Sequence, residues 1–241
     1  MELTLLFLIP VVAFLYSSVG HGGASGYLAL MAIFSVDPVL MRSSALILNL
    51  FVSSIAFFAF YKGGYFRWRI LLPFVLTSMP LAYIGARMNI DPTIYKVILA
   101  ICLLIGIARM LFAPKVSDNE TRPLPFSAGL IVGAMLGFIS GLIGIGGGIV
   151  LSPILLLFRW ANVKETATIS AMFIFLNSAS GLTGVVSKGI EINTSLLLMV
   201  SMANLGGVFG SFSGSFRFRD LSIKYILSFV LLVACIKLLT T

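Results

Sequence analysis

The chain has 241 residues, of which 59% are hydrophobic and 10% charged, and its mean hydropathy is +1.11. That much apolar surface exceeds what a soluble domain of this size can bury, so composition excludes a soluble globular enzyme and makes the bilayer the solvent. The formal charge of +8 fits basic cytoplasmic loops, and no nucleic-acid motif accompanies it.

Met1-Glu2-Leu3-Thr4-Leu5 carries an acid where a secretory leader has its positive region, so the first apolar stretch is expected to stay in the protein. Five apolar segments follow one another at 3–19, 24–36, 43–60, 70–86 and 93–112. A polar, proline-bounded stretch at 114–124 reads as a linker. Five more segments occupy 125–145, 148–158, 166–187, 194–213 and 222–240. The expected organisation is an N-terminal membrane repeat over 1–113, the linker 114–124, and a C-terminal membrane repeat over 125–241.

The halves align. Placing Gly20, Gly22 and Gly23 over Gly144, Gly146 and Gly147, an offset of 124, also superposes Phe14 on Phe138 and Phe34 on Phe158. In each half the second segment is short, reaching about 16 to 20 Å at 1.5 Å per residue against a hydrocarbon core of about 30 Å. Each repeat is therefore expected to be a glycine-broken, re-entrant helical hairpin followed by three transmembrane helices. Ten short spans are the alternative. The fold class is an all-α integral membrane protein of two inverted-topology repeats, a plan recurrent among secondary transporters.

Loop charge sets the orientation. Lys62, Arg67, Arg69, Arg109, Lys115, Arg122, Arg159, Lys164, Arg217, Arg219 and Lys224 fall on one side, and Arg42, Arg87, Lys96, Lys188 and Lys237 on the other. The richer side is cytoplasmic by the positive-inside rule, which puts both termini outside.

Gly20-His21-Gly22-Gly23 and Gly144-Ile145-Gly146-Gly147-Gly148 are the informative breaks. Interrupted helices are tolerated at membrane depth only where the freed backbone is buried in protein or lines a cavity. A helix starting after such a run presents unpaired N–H groups and the positive end of its dipole, which attracts anions. The candidate substrate contacts are Gly22, Gly23, Gly146, Gly147 and Gly148 through the backbone. Ser25 and His21 could add side-chain donors, with Ser17 and Ser18 nearby, and Asn49 and Asn177 lie in the third segments. Close helix packing competes as an explanation for the glycines, and interhelical hydrogen bonding for the asparagines.

All eight acidic residues fall in loops or at segment ends, which disfavours a cation carrier. His21 is the lone histidine, and Cys102 and Cys235 lack metal-site spacing, so no metal and no cofactor are expected. The expected partners are a small anion and the lipid bilayer, without nucleic acid, and the sequence leaves a homo-oligomer open.

The segment GLIGIGGGIVLSPILL at 141–156, with its weaker counterpart VGHGGASGYLAL at 19–30, resembles the sulfite exporter TauE/SafE family, also called the toluene sulfonate uptake permease family. The second segment departs from the usual pattern in its histidine and its missing proline. The resemblance implies a permease of the bacterial inner membrane for sulfite, sulfonates or related anions, with Gly22, Gly23, Gly146, Gly147 and Gly148 at the matching motif positions. A passive anion channel is the main competing reading. Gly23-Ala24-Ser25-Gly26 also matches the GxSG pattern of rhomboid proteases, but neither the duplication nor the second glycine cluster suits that fold.

Overall fold

The computed structural model describes residues 3–18, 23–112, 121–187, 194–214 and 220–240. Among them all regular structure is helical, in the order α1 Leu3–Ser18, α2 Ala24–Ile33, α3 Pro38–Tyr61, α4 Trp68–Arg87, α5 Pro92–Phe112, α6 Phe126–Ile143, α7 Gly148–Leu157, α8 Val163–Val186, α9 Thr194–Gly214 and α10 Asp220–Thr240. Most of the polar linker lies outside the described residues.

Helices α3 and α8 start earlier than the apolar segments at 43 and 166, because polar caps and not hydrophobicity set their first turns. The Asp37 carboxylate accepts from the amides of Val39 at 2.8 Å and Leu40 at 3.4 Å, with Pro38 in the first turn. At α8, Asn162 and Glu165 form a capping box, each side chain accepting from the other's amide, at 2.8 and 3.0 Å. Glu165 is buried and pairs with Arg67 at the start of α4. That pair and the bond from Lys164 to the Tyr65 hydroxyl gather the α3–α4 and α7–α8 loops at one end of the molecule.

The two ten-residue helices end alike. After α2, Ser35 adopts φ 54°, with Ser35 N–H donating to Ala32 O and Val36 N–H to Met31 O. After α7, Arg159 adopts φ 57°, with Arg159 N–H donating to Leu156 O and Trp160 N–H to Leu155 O. Both are Schellman closures built on a non-glycine residue.

Helix α4 packs on α6 and α1 on α9, while α3 meets α8 and α5 meets α10. Glycines permit the closest approaches. A Cβ added at Gly133, Gly137 or Gly141 of α6 would lie 2.3, 2.2 or 1.9 Å from the carbonyl oxygens of Phe74, Ser78 and Ala82 on α4. On α9, Cβ atoms at Gly206 and Gly210 would lie 2.1 and 2.3 Å from the carbonyls of Pro10 and Phe14. Small residues allow this backbone contact where lipid supplies no hydrophobic drive between helices. One core gathers Tyr16, Tyr27, Leu48 and Leu103, and a second gathers Phe74, Leu155, Trp160 and Phe173. Phe7, Phe58, Phe209 and Phe229 face outward.

Helices α3, α4, α6 and α8 are long and apolar enough to cross a membrane. The ten residues of α2 and of α7 extend only about 15 Å.

Neighbouring glycines of α9 give a clean test. Gly206→Ala should destabilise the protein by about 1–3 kcal/mol through overpacking. Gly207→Ala, whose nearest neighbours would stand at 3.5 Å, should be neutral or raise stability slightly through helix propensity. Thermal unfolding of both variants in detergent checks the contrast, and equal shifts would refute the packing role.

Candidate substrate site

The second break is a run of left-handed glycines. Helix α6 ends on Gly144 at φ 82°, the chain turns through Gly146 at 75° and Gly147 at 74°, and α7 restarts at Gly148. A side chain in this conformation costs roughly 1–2 kcal/mol at each position, so a turn with three such residues strongly favours glycine. Helix α2 restarts the same way, after Gly23 at φ 79°. Neither restart has a side-chain cap, and at α7 the Val150 and Leu151 amides turn back to Gly147 O at 3.2 and 3.1 Å.

The carbonyls freed at the end of α6 are satisfied by three side chains from the first half. Arg42 Nη1 donates to Leu142 O at 3.4 Å, the Tyr95 hydroxyl to Ile143 O at 3.1 Å, and Asn49 Nδ2 to Gly144 O at 3.3 Å. Arg42 Nη1 also reaches Met88 O, at the end of α4, at 3.2 Å. A cation at two helix C-termini opposes their negative dipole ends.

The two restarts meet at a small void lined by Tyr16, Gly23, Ala24 and Ser25 from the first half and Ile145, Ile149 and Ile174 from the second. Its volume is about 10 Å³, around the minimum for one water. Ser25 donates to the Tyr16 hydroxyl at 2.9 Å. Tyr27 folds back over Gly23, where a Cβ would come within 2.8 Å of its hydroxyl oxygen.

Several buried polar atoms lack hydrogen-bond partners among the described residues. They include Asn49 Oδ1, Asn177 Oδ1 and the hydroxyls of Ser17, Tyr27, Ser53, Ser140 and Ser178. A Cβ on Gly146 would lie 3.0 Å from Asn49 Nδ2 and 3.4 Å from Ser178 Oγ, and one on Gly147 would lie 3.5 Å from Ser140 Cβ. Groups buried without partners cost about 1–3 kcal/mol each.

Of the residues the sequence singles out, Gly23 and Ser25 line the shared void. Gly146, Gly147 and Gly148 instead turn toward Asn49, Ser178, Phe173 and Ile174, while the void's far wall is Ile145 and Ile149. Asn49 holds the break directly, whereas Asn177 Nδ2 donates to Phe173 O in its own helix at 2.9 Å. Gly22 and His21 lie outside the described residues. Sequence reading missed Arg42, Tyr95, Tyr16 and Ser178. The 124 offset carries a signal for Ser178, since it pairs Ser53 with Asn177 and Ser54 with Ser178. Cys102 and Cys235 are free thiols buried in the α5–α10 contact, with Cys235 Sγ at 3.6 Å from Ala100 O. No cluster of metal-ligating side chains occurs among the described residues.

The model of the family described as sulfite exporter TauE/SafE matches residues 5–238, almost the full length of this architecture. The chain belongs to the sulfite exporter TauE/SafE family. Its TauE/SafE relatives include "Probable membrane transporter protein y4hK" of Sinorhizobium fredii, 33% identical over 235 residues that cover 95% of this chain and 94% of the relative. "Probable membrane transporter protein MJ0441" of Methanocaldococcus jannaschii is 31% identical over 205 residues, covering 78% of this chain and 75% of the relative. No solved structure matches this TauE/SafE chain.

Removing one support of the break should be costly. Tyr95→Phe leaves Ile143 O unpaired in apolar surroundings and should lower stability by about 1–3 kcal/mol. Denaturant or thermal unfolding in detergent measures this. An unchanged midpoint would mean that the carbonyl has another donor.

Proposed function

We propose that this protein is a carrier for small sulfur-containing anions such as sulfite or sulfonates, which it binds between the N-termini of α2 and α7. The observation that carries the reading is the meeting of two glycine-turned helix starts, neither with a side-chain cap, at one void whose lining also holds the hydrogen-bonded hydroxyls of Ser25 and Tyr16. Positive dipole ends, free amide N–H groups and hydroxyl donors are the groups that bind an oxyanion. The absence of acidic residues from the void's lining supports an anion over a cation.

The two halves are inverted repeats with α1–α2 and α6–α7 as re-entrant hairpins. Several features support this arrangement. The paired helices have similar lengths, the ten-residue helices close alike, and each half's first helix packs on the other half's fourth. The end carrying Arg67, Lys164 and Arg159 faces the cytoplasm and both termini face outward, in what the family resemblance makes a bacterial inner membrane.

A void of about 10 Å³ is too small for sulfite, so the site must open to be filled. This favours a carrier over a passive channel. In proteoliposomes loaded with unlabelled sulfite, labelled sulfite should therefore accumulate by counterflow. Ser25→Ala should raise the half-saturating concentration about tenfold by removing one hydroxyl from the void's lining. Flux without exchange would make the protein a channel, and no flux of sulfite or any sulfonate would sink the substrate assignment.

A further inference from the structure

Arg42 is more than nine-tenths buried, on the second turn of α3. It makes no ion pair among the described residues. The acidic groups described at this end cap helix starts. Asp37 caps α3, and Asp91 accepts from the Thr93 amide at 2.8 Å at the start of α5. Arg42 Nη1 serves the carbonyls of Leu142 and Met88, but Nε is buried without an acceptor. Buried cations normally have an anionic partner, because an isolated charge out of water is strongly disfavoured. Among the described residues Arg42 has only neutral carbonyls as partners.

Beside Arg42 lies a cavity of about 150 Å³, lined by Pro38, Val39, Arg42, Asn89, Ile90 and Tyr95. Val39 and Asn89 are exposed, so the cavity opens at the surface, on the end opposite Arg67 and Glu165. A second cavity of about 340 Å³ shares Pro38 and Tyr95 with it and adds Asp37 and Lys96. Lys237 also sits at this end, donating to Ile33 O. Arg42 in turn packs against the second break, since a Cβ on Gly144 would lie 2.8 Å from Arg42 O and 3.2 Å from Arg42 Cγ.

We propose that this cavity is a separate docking site for a small free oxyanion, in which a sulfonate, sulfite or carboxylate group supplies the counter-charge that Arg42 lacks. Guanidinium recognises such groups through two N–H donors at once, and the Nε side of the fork is the side the protein leaves without an acceptor. Resting on the carrier reading above, the site is a waiting position at the outer mouth. It lies one residue layer from the glycine turn, and Arg42 joins the two because the same guanidinium holds the end of α6. An anion there would be concentrated next to the transport site before the site opens.

The test is the melting temperature of purified, delipidated protein titrated with methanesulfonate or sulfite, against chloride at matched ionic strength. Wild type should show a saturable oxyanion-specific rise. Arg42→Gln should weaken the apparent affinity about tenfold or more. Because Arg42 also ties α4 to α6, Val39→Glu is the second variant. It adds an acid to the first turn of α3, where the helix dipole favours it, and places a tethered carboxylate at the cavity. This variant should fold, melt no lower than wild type and lose the oxyanion response.

Absence of the response in wild type would overturn the proposal, as would its persistence at the same midpoint in folded Val39→Glu. A rise produced only by anionic phospholipid in nanodiscs would also overturn it, by assigning the cavity to a lipid headgroup. Transport is scored separately. Wild-type counterflow with an unchanged half-saturation in Val39→Glu removes the docking site and leaves the carrier. Saturable binding lost in both variants, without any flux, does the reverse.

Discussion

Everything about the candidate site depends on one requirement: a backbone broken among apolar side chains must have its carbonyls and amides satisfied by the protein itself. At the second break this is met unevenly. The carbonyl side is closed by Arg42, Tyr95 and Asn49, each from the first half of the chain. The amide side, at the start of α7, has no side-chain cap. A break whose last helical carbonyls are tied down while the following helix start has no side-chain cap suits a ligand that brings acceptors of its own. Because the supports come from the first half, neither half can form the site alone.

Glycine does two different jobs in this chain, and helix α6 shows both. At Gly133, Gly137 and Gly141 the backbone is ordinary helix, and the missing Cβ lets α4 approach to van der Waals contact. At Gly144, Gly146 and Gly147 the backbone is left-handed, and the missing Cβ permits the turn. The first set holds the helix against its neighbour up to the break, and the second redirects the chain there. A rigid scaffold ending in a sharply turned backbone suits precise placement of N–H groups.

Much of this was legible in the sequence because hydrophobic length and glycine clustering are local signals. The short second segments, the helix order and the two breaks all follow from counting along the chain. The starts of α3 and α8 did not, since Asp37 and Asn162 draw polar residues into the first turn and hide it from an apolar count. Nor did the roles of Arg42 and Tyr95. A loop arginine and an interfacial tyrosine are what positive-inside and aromatic-belt reasoning expect, and only the fold brings them under carbonyls that are 100 and 48 residues away. The 124-residue register pointed to Ile145 and Ile149 as counterparts of His21 and Ser25, and both isoleucines do line the void beside Ser25. The same register puts glycines at matching positions in both breaks, whereas the second-half glycines face Asn49 on α3 and Phe173, Ile174 and Ser178 on α8.

The central claim is that the void between the two helix starts opens to admit an anion. The most direct measurement places one cysteine there, Ser25→Cys with Cys102 and Cys235 changed to alanine, in sealed right-side-out membrane vesicles. Its rate of modification by a sulfonate-bearing methanethiosulfonate is then followed with and without methanesulfonate. The account predicts slow but measurable modification that methanesulfonate suppresses in a saturable manner. No modification from either side of the membrane, or a rate indifferent to the anion, would mean that these hydroxyls belong to a closed core and that substrate passes elsewhere.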